Sequence, residues 1–333
     1  MIDEAGLFIY DCRHMNREIL GLSEKRETIE EQFENPETMV LDGQPVEVFD
    51  IWPEEPKHET PVVFGCGWET SPEVYRASIL AMAKDGFRVI AAKAPHGMDI
   101  RSESVLSGRE RDMSEYPKAE LRKLAAVLEA MHAKGIKEAD AVGHSESAIF
   151  LTMAATMFED KFRNLTLVNP AGVVENSTVG KVARGFAKNA AFEPAIVKQV
   201  ILSIKKRQDP DFDPKKVDLT QKNQGDFGLL QYIRTTASNP WEAIRSIFAL
   251  STADIRGMLR DLKAKGKNIS VIHSVDDKGF PMTGVQRSLS TKEVTGFYSL
   301  PGSHNAIFTN SDVYTKAIVH SLNAMEKKGN AAK

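Results

Sequence analysis

Two cysteines in 333 residues cannot build a disulfide framework, and Cys12 and Cys66 lack metal-ligand spacing, so both are expected as reduced thiols. Cys66 falls in a strand-end loop with no histidine near it in sequence, which suits a small buried hydrophobe better than a nucleophile. Long apolar runs are missing as well. Nothing approaches the roughly 20 residues that cross a bilayer, and no transmembrane segment is expected. An excess of positive charge is also absent: a net charge of −3 offers no basic field for a phosphate backbone, which argues against nucleic acid as a partner. Met1-Ile2-Asp3-Glu4-Ala5-Gly6 is acidic where a signal peptide is basic, and Leu7-Phe8-Ile9-Tyr10 is too short for its apolar core. The expected location is the cytoplasm.

What remains is a globular balance of 42% hydrophobic and 27% charged residues, in a chain long enough for one large core plus an insertion. Residues 1–36 are charge-rich; the run Glu24 to Gln32 could be helical but carries few apolar anchors, and the segment reads as a peripheral N-terminal extension. Thr38-Met39-Val40-Leu41 and Val46 to Ile51 read as strands joined by an Asp42-Gly43 hairpin turn. Beyond them the periodicity switches regularly. Pro61 to Phe64 is a buried strand, Ser71-Pro72 starts a helix that runs through Lys84 to Gly86, and Phe87 to Ala92 is the next strand. Leu121, Leu124, Leu128 and Met131 share one helical face before Gly135, then come strands at Ala139 to Val142 and Leu165 to Val168.

Such alternation implies parallel βαβ units with helices on both faces of a sheet. It stops near Gly172 and resumes with a helix from Ile255 to Leu262, strands at Ile269 to Ile272 and Gly296 to Leu300, and a last helix from Val313 to Met325. The expected organisation is therefore an α/β core of residues 37–172 and 251–333 around a helical insertion at 173–250.

Ala139-Asp140-Ala141-Val142-Gly143-His144-Ser145-Glu146-Ser147 is a short strand running into a small-residue turn and a helix, which holds the Ser145 hydroxyl out at a sharp bend. A serine nucleophile needs a base, a carboxylate to orient that base, and donors for an oxyanion. His304 follows the strand ending at Leu300 and precedes the last helix, which is where a base should lie. Asp276 and Asp277 occupy the loop after Ile272, between serine and histidine in chain order. His144, adjacent to Ser145, should point away from the pocket and take no part.

Together these residues resemble the α/β-hydrolase superfamily over roughly residues 38–325. The resemblance implies an α/β-hydrolase fold, a mostly parallel central sheet with helices on both faces and a helical cap at 173–250. Family loops at the acid position commonly read G-x-x-D-x-x-x-P; matching Ser274 to the glycine puts Asp277 at the acid and Pro281 at the proline. Some relatives carry the acid one strand earlier, but Val168-Asn169-Pro170 offers no carboxylate there. The resemblance also assigns the oxyanion donors to the backbone N–H groups of Trp68, in the loop Cys66-Gly67-Trp68, and Glu146. Trp68 could equally be an aromatic lid over the core. Two departures stand out: Ser147 replaces the usual last glycine of the elbow, and Lys93-Ala94-Pro95-His96-Gly97 stands where relatives often have Asp and a Gly-His-Gly turn.

The activity implied is hydrolysis of a small-molecule ester or thioester through an acyl-enzyme, with no cofactor and no metal. A serine at the elbow excludes the aspartate nucleophile of dehalogenase or epoxide hydrolase chemistry. The alternatives are acyl transfer by the same three residues, or a non-catalytic ligand-binding protein on this fold. Phe186, Phe192, Ile196, Phe227, Leu229, Leu230 and Tyr232 could line an acyl pocket or only bury the cap. Lys181, Arg184 and Lys188 read as a solvated basic face more readily than as an anion site. Oligomeric state stays open, a homodimer included.

Overall fold

The computed structural model describes residues 27–41, 44–68, 70–93, 117–174 and 250–331. Its strands are β1 (Glu37–Leu41), β2 (Gln44–Ile51), β3 (Val62–Gly65), β4 (Val89–Ala92), β5 (Ala139–His144), β6 (Phe162–Val168), β7 (Asn268–Ser274) and β8 (Gly296–Leu300). They form one sheet in the order β1-β2-β4-β3-β5-β6-β7-β8. The β1–β2 and β2–β4 pairs are antiparallel, and the pairs from β4 through β8 are parallel.

The order follows from burial. A parallel sheet covered on both faces buries both sides of each strand, hence the nearly unbroken burial of β3, β5 and β6. One face, including Val63, Ile90, Ala141, Leu165, Leu167 and Val271, packs against helices α3 (Lys118–Ala133), α4 (Ser147–Met157) and α5 (Arg256–Ala264). The other, including Val62, Phe64, Val89, Val142, Val168 and Ile272, packs against α1 (Ile29–Glu34), α2 (Arg76–Lys84) and the C-terminal helix α8 (Ser311–Ala331). Two short helices complete the described core, α6 (Met282–Ser288) and α7 (Ala306–Thr309).

Where the structure departs from the sequence expectations, packing explains it. The charged stretch before β1 holds α1, started by a capping box in which Glu31 N–H donates to Thr28 Oγ1 (3.2 Å) and Thr28 N–H donates to Glu31 Oε2 (2.8 Å). Two anchors suffice: Ile29 and Phe33, one turn apart, are both buried in the core. The helix expected from Ser71 begins instead as a 3₁₀ turn, Pro72–Tyr75, before α2 takes over at Arg76. Ser71 makes no side-chain cap bond there, and Tyr75 at the end of the turn is buried. Leu41 and Gln44 face each other across the first hairpin, the register a two-residue turn requires.

The Asp42-Gly43 turn itself, Ala94 to Gly97, Cys12, most of the 173–250 insertion and the cap residues named above lie outside the described residues. Among the described residues no helix is long and apolar enough to cross a membrane.

Candidate active site

Ser145 sits where β5 ends and α4 is about to begin, with φ of 58°, in the left-handed region that a side chain ordinarily avoids. Strand β6 and the loop after it hold it there: Ser145 N–H donates to the Val168 carbonyl (2.9 Å), and Ala171 N–H donates to the Ser145 carbonyl (3.1 Å). Ser147, the departure from the usual elbow glycine, is buried, and its hydroxyl reaches the carbonyls of Gly65 and His144, both at 2.9 Å. Its bulk is accommodated by glycines opposite. A Cβ on Gly65 would come within 2.6 Å of Ser147 Cβ, and one on Gly143 within 2.8 Å of Ser147 Oγ.

His304 lies in the loop between β8 and α7, after Gly302, whose φ of 123° suits only glycine and whose added Cβ would meet Ala306 Cβ at 2.5 Å. Its Nε2 is 2.8 Å from Ser145 Oγ, and its Nδ1 is 2.7 Å from Asp277 Oδ2. A carboxylate can only accept, so Nδ1 carries the proton and Nε2 is left to accept from the serine hydroxyl. Ser145, Asp277 and His304 are 3%, 2% and 2% exposed, so the hydrogen bonds operate with little competing water.

Asp277 is fixed by its own loop after β7: Oδ1 accepts the N–H groups of Gly279 (2.8 Å) and Phe280 (2.9 Å). Burial alone would raise its carboxyl, but the rings of His304 and His273 and the Phe280 N–H outweigh burial and hold it below the usual aspartate value. Asp276, the other acid of the loop, is exposed, and its N–H donates to the Gly302 carbonyl (3.0 Å). His273 supports the same loop from β7, with Nε2 2.8 Å from the Phe280 carbonyl.

On the far side of Ser145, Gly67 N–H donates to the Tyr75 hydroxyl (2.8 Å), so Gly67 itself is tied down while Trp68 follows it in the turn. A Cβ on Gly67 would lie 2.9 Å from that hydroxyl and 3.1 Å from His144 Nδ1, which is why the loop needs glycine there. Trp68 is partly buried and packs against the core. Cys66 is partly exposed, and burial of its thiol, with Glu73 nearby, pushes its pKa well up, so it stays protonated. Glu146 is the N-cap of α4, and its wholly buried side chain is ion-paired with Lys123 on α3. Close to it, Glu120 is buried too, and burial together with the Glu146 charge pushes its carboxyl well up.

Two neighbours escape sequence reasoning. His144 is buried, with Nδ1 2.9 Å from the Tyr75 hydroxyl and Nε2 3.1 Å from the His304 carbonyl. Asn169, at a left-handed φ of 43° after β6, donates through Nδ2 to the same carbonyl (2.8 Å). Only the asparagine carried a usable signal, a small polar residue directly at a strand end. Among the described residues, no grouping of three or more His, Cys, Asp or Glu could hold a metal.

No protein-family model matches the chain, and no curated protein matches it. Solved structures do. An enol-lactonase from Burkholderia xenovorans is similar at 16% identity and a TM-score of 0.58, covering 86% of this chain and all of that one (100%). A carboxylesterase structure from Nitrososphaera gargenis is similar at 14% identity and a TM-score of 0.58, over 88% of this chain and 100% of its own. Bromoperoxidase from Bacillus anthracis gives 14% identity and a TM-score of 0.57, over 87% and 100%. At these identities the likeness is one of architecture, and the architecture is the α/β-hydrolase fold.

Proposed function

We propose that this chain is a serine hydrolase that cleaves a small-molecule carboxylic ester or thioester through an acyl-enzyme. The observation that carries the proposal is the continuous hydrogen-bonded line from Ser145 Oγ to His304 Nε2 (2.8 Å) and from His304 Nδ1 to Asp277 Oδ2 (2.7 Å). In this reading His304 takes the Ser145 proton as the oxygen attacks the carbonyl carbon. The carbonyl electrons move onto oxygen, facing the backbone N–H groups of Trp68 and Glu146. The tetrahedral species collapses, His304 returns the proton to the leaving alcohol or thiol, and the acyl group stays on Ser145. Water then repeats the cycle and frees the acid.

Asp277 serves by staying ionised: its carboxyl is held below the ordinary value, and it keeps the imidazole in the tautomer whose Nε2 can accept. Two preorganised backbone donors are typically worth about 3 kcal/mol of barrier each in a site closed to water. The enol-lactonase and the carboxylesterase among the similar structures favour an ester carbonyl as the target. The test is Ser145→Ala against short p-nitrophenyl esters, with a fluorophosphonate label mapped on the unaltered protein. The expected result is a loss of at least about 10³-fold in kcat, and a label on Ser145 alone. Full turnover by the alanine variant would overturn the proposal.

A further inference from the structure

We propose that His144 is a positioning residue for His304, which it holds, together with Asn169, by the main-chain carbonyl and not by the ring. The proposal rests on the serine hydrolase reading above.

The direction of each bond settles the chemistry. A carbonyl oxygen can only accept, so the 3.1 Å contact between His144 Nε2 and the His304 carbonyl requires the proton on Nε2. Burial, reinforced by the adjacent His304, pushes the His144 ring down to about 3, so the ring is neutral and carries that one proton. Its Nδ1 is then a bare lone pair and must accept, and the donor in reach is the Tyr75 hydroxyl at 2.9 Å. The Tyr75 oxygen in turn accepts from Gly67 N–H at 2.8 Å. One directed chain therefore runs from the Gly67 loop, through Tyr75 and His144, to the backbone of His304.

The other half of the grip is equally determined. Asn169 donates through Nδ2 to the His304 carbonyl at 2.8 Å, while its Oδ1 accepts Ser274 N–H at 2.7 Å, so the amide has one workable orientation. Both donors come from strand ends, His144 closing β5 and Asn169 following β6. The carbonyl thus has a hydrogen bond for each lone pair, from two strands of the central sheet. Phe308 packs edge-on against the His144 ring with centroids 5.4 Å apart, and the two histidine rings lie 5.1 Å apart. A loop residue is given the rigidity of the sheet. The benefit appears when the ring must lie within hydrogen-bond reach of Ser145 and Asp277 at once, because a small misplacement of a base costs rate far more than binding.

The experiment compares His144→Leu, which fills the space without a donor, with His144→Gln, whose amide can donate to the same carbonyl. His144→Leu is expected to lower kcat on a p-nitrophenyl ester about tenfold or more with KM within about twofold, and His144→Gln to recover most of the loss. Rates are taken per fluorophosphonate-reactive site, so that unfolded protein is not counted. Wild-type kcat in His144→Leu, a loss confined to KM, or equal losses in both variants would overturn the proposal. Should His144→Leu fail to fold, Asn169→Asp probes the same carbonyl from its other side. It keeps the acceptor for Ser274 and removes the donor, and a wild-type kcat would again overturn the proposal. If Ser145→Ala were as active as the parent, the hydrolase reading itself would fall; an inert Ser145→Ala beside a fully active His144→Leu sinks only the positioning role.

Discussion

On the His304 side of Ser145, the Asp277 carboxylate receives three N–H donors, two from backbone and one from the imidazole. On the Glu146 side, the Glu120 carboxyl has no N–H or O–H donor on either oxygen among the described residues, and its own hydrogen-bond partner is the Glu146 carboxylate. Both sets are buried, one joined to Ser145 through His304 and the other through the adjacent Glu146. A buried carboxylate is tolerable when donors or a cation replace its water, and otherwise it keeps its proton. Asp277 follows the first course and is held below its ordinary value; Glu120 follows the second and is held above it. Lys123 meets Glu146 by ion pairing, and a protonated Glu120 facing Glu146 adds no second negative charge. The difference is between a carboxylate held ionised beside His304 and a carboxyl kept protonated beside Glu146, the residue that follows Ser145.

The comparison breaks most sharply at Asp277. Asp277→Asn keeps the shape but presents an amide that favours the wrong imidazole tautomer, and kcat is expected to fall about 10³- to 10⁴-fold in ester turnover. No such loss belongs to Glu120, where Glu120→Gln should leave kcat within a few-fold; a collapse of activity there would mean that the two sets do one job. Next in size is Gly67→Ala, whose methyl would press on the Tyr75 hydroxyl at 2.9 Å and on His144 Nδ1 at 3.1 Å. Steady-state kinetics should show roughly a tenfold drop in kcat, from displacement of the Cys66-Gly67-Trp68 loop and the His144 chain together.

The remaining two predictions concern stability and carry opposite signs. Above pH 4.5 the unfolded chain releases the Glu120 proton while the folded chain keeps it, so this group makes folding progressively less favourable as pH rises toward its elevated folded value. Glu120→Gln removes that slope. Its melting temperature relative to the parent should climb as pH rises from 4.5, and a constant gap would contradict this. Asp277, with its depressed value, contributes stability above pH 3.8 that is lost as pH falls through the folded value. Denaturant titrations below pH 4 should therefore show a shallower acid loss in Asp277→Asn than in the parent, the smallest of these effects.

Reading the chain alone goes far for one of these regions and not for the other. Strand-end placement is visible in sequence because a parallel strand is a short apolar run and its C-terminal loop comes next; Ser145, Asp277 and His304 each follow such a run. The structure brings those three side chains into one hydrogen-bonded line. The roles of His144 and Asn169 were hidden because their partner is the backbone of a residue 160 and 135 positions away. No local periodicity encodes such a contact. Glu120 was hidden for a related reason: it stands in an otherwise ordinary amphipathic helix, where a glutamate reads as solvent-facing until the neighbouring helix covers it. Ile29 and Phe33 likewise gain meaning only from the sheet they meet.

The Ser147 hydroxyl, hydrogen-bonded between Gly65 and His144, has a consequence for how this sequence can change over generations. Positions 65 and 147 share one volume, since a methyl on Gly65 would meet Ser147 Cβ at 2.6 Å. Position 65 is not free to vary alone. A lineage that acquired glycine at 147 would leave only the Leu151 Cδ1 tip, 2.8 Å from a Cβ on Gly65, to shift before alanine fits at 65, whereas alanine at 65 arising first would also collide with the serine. Mutational drift around the elbow is therefore ordered in time, with the change on α4 as the gate through which any change on β3 must pass.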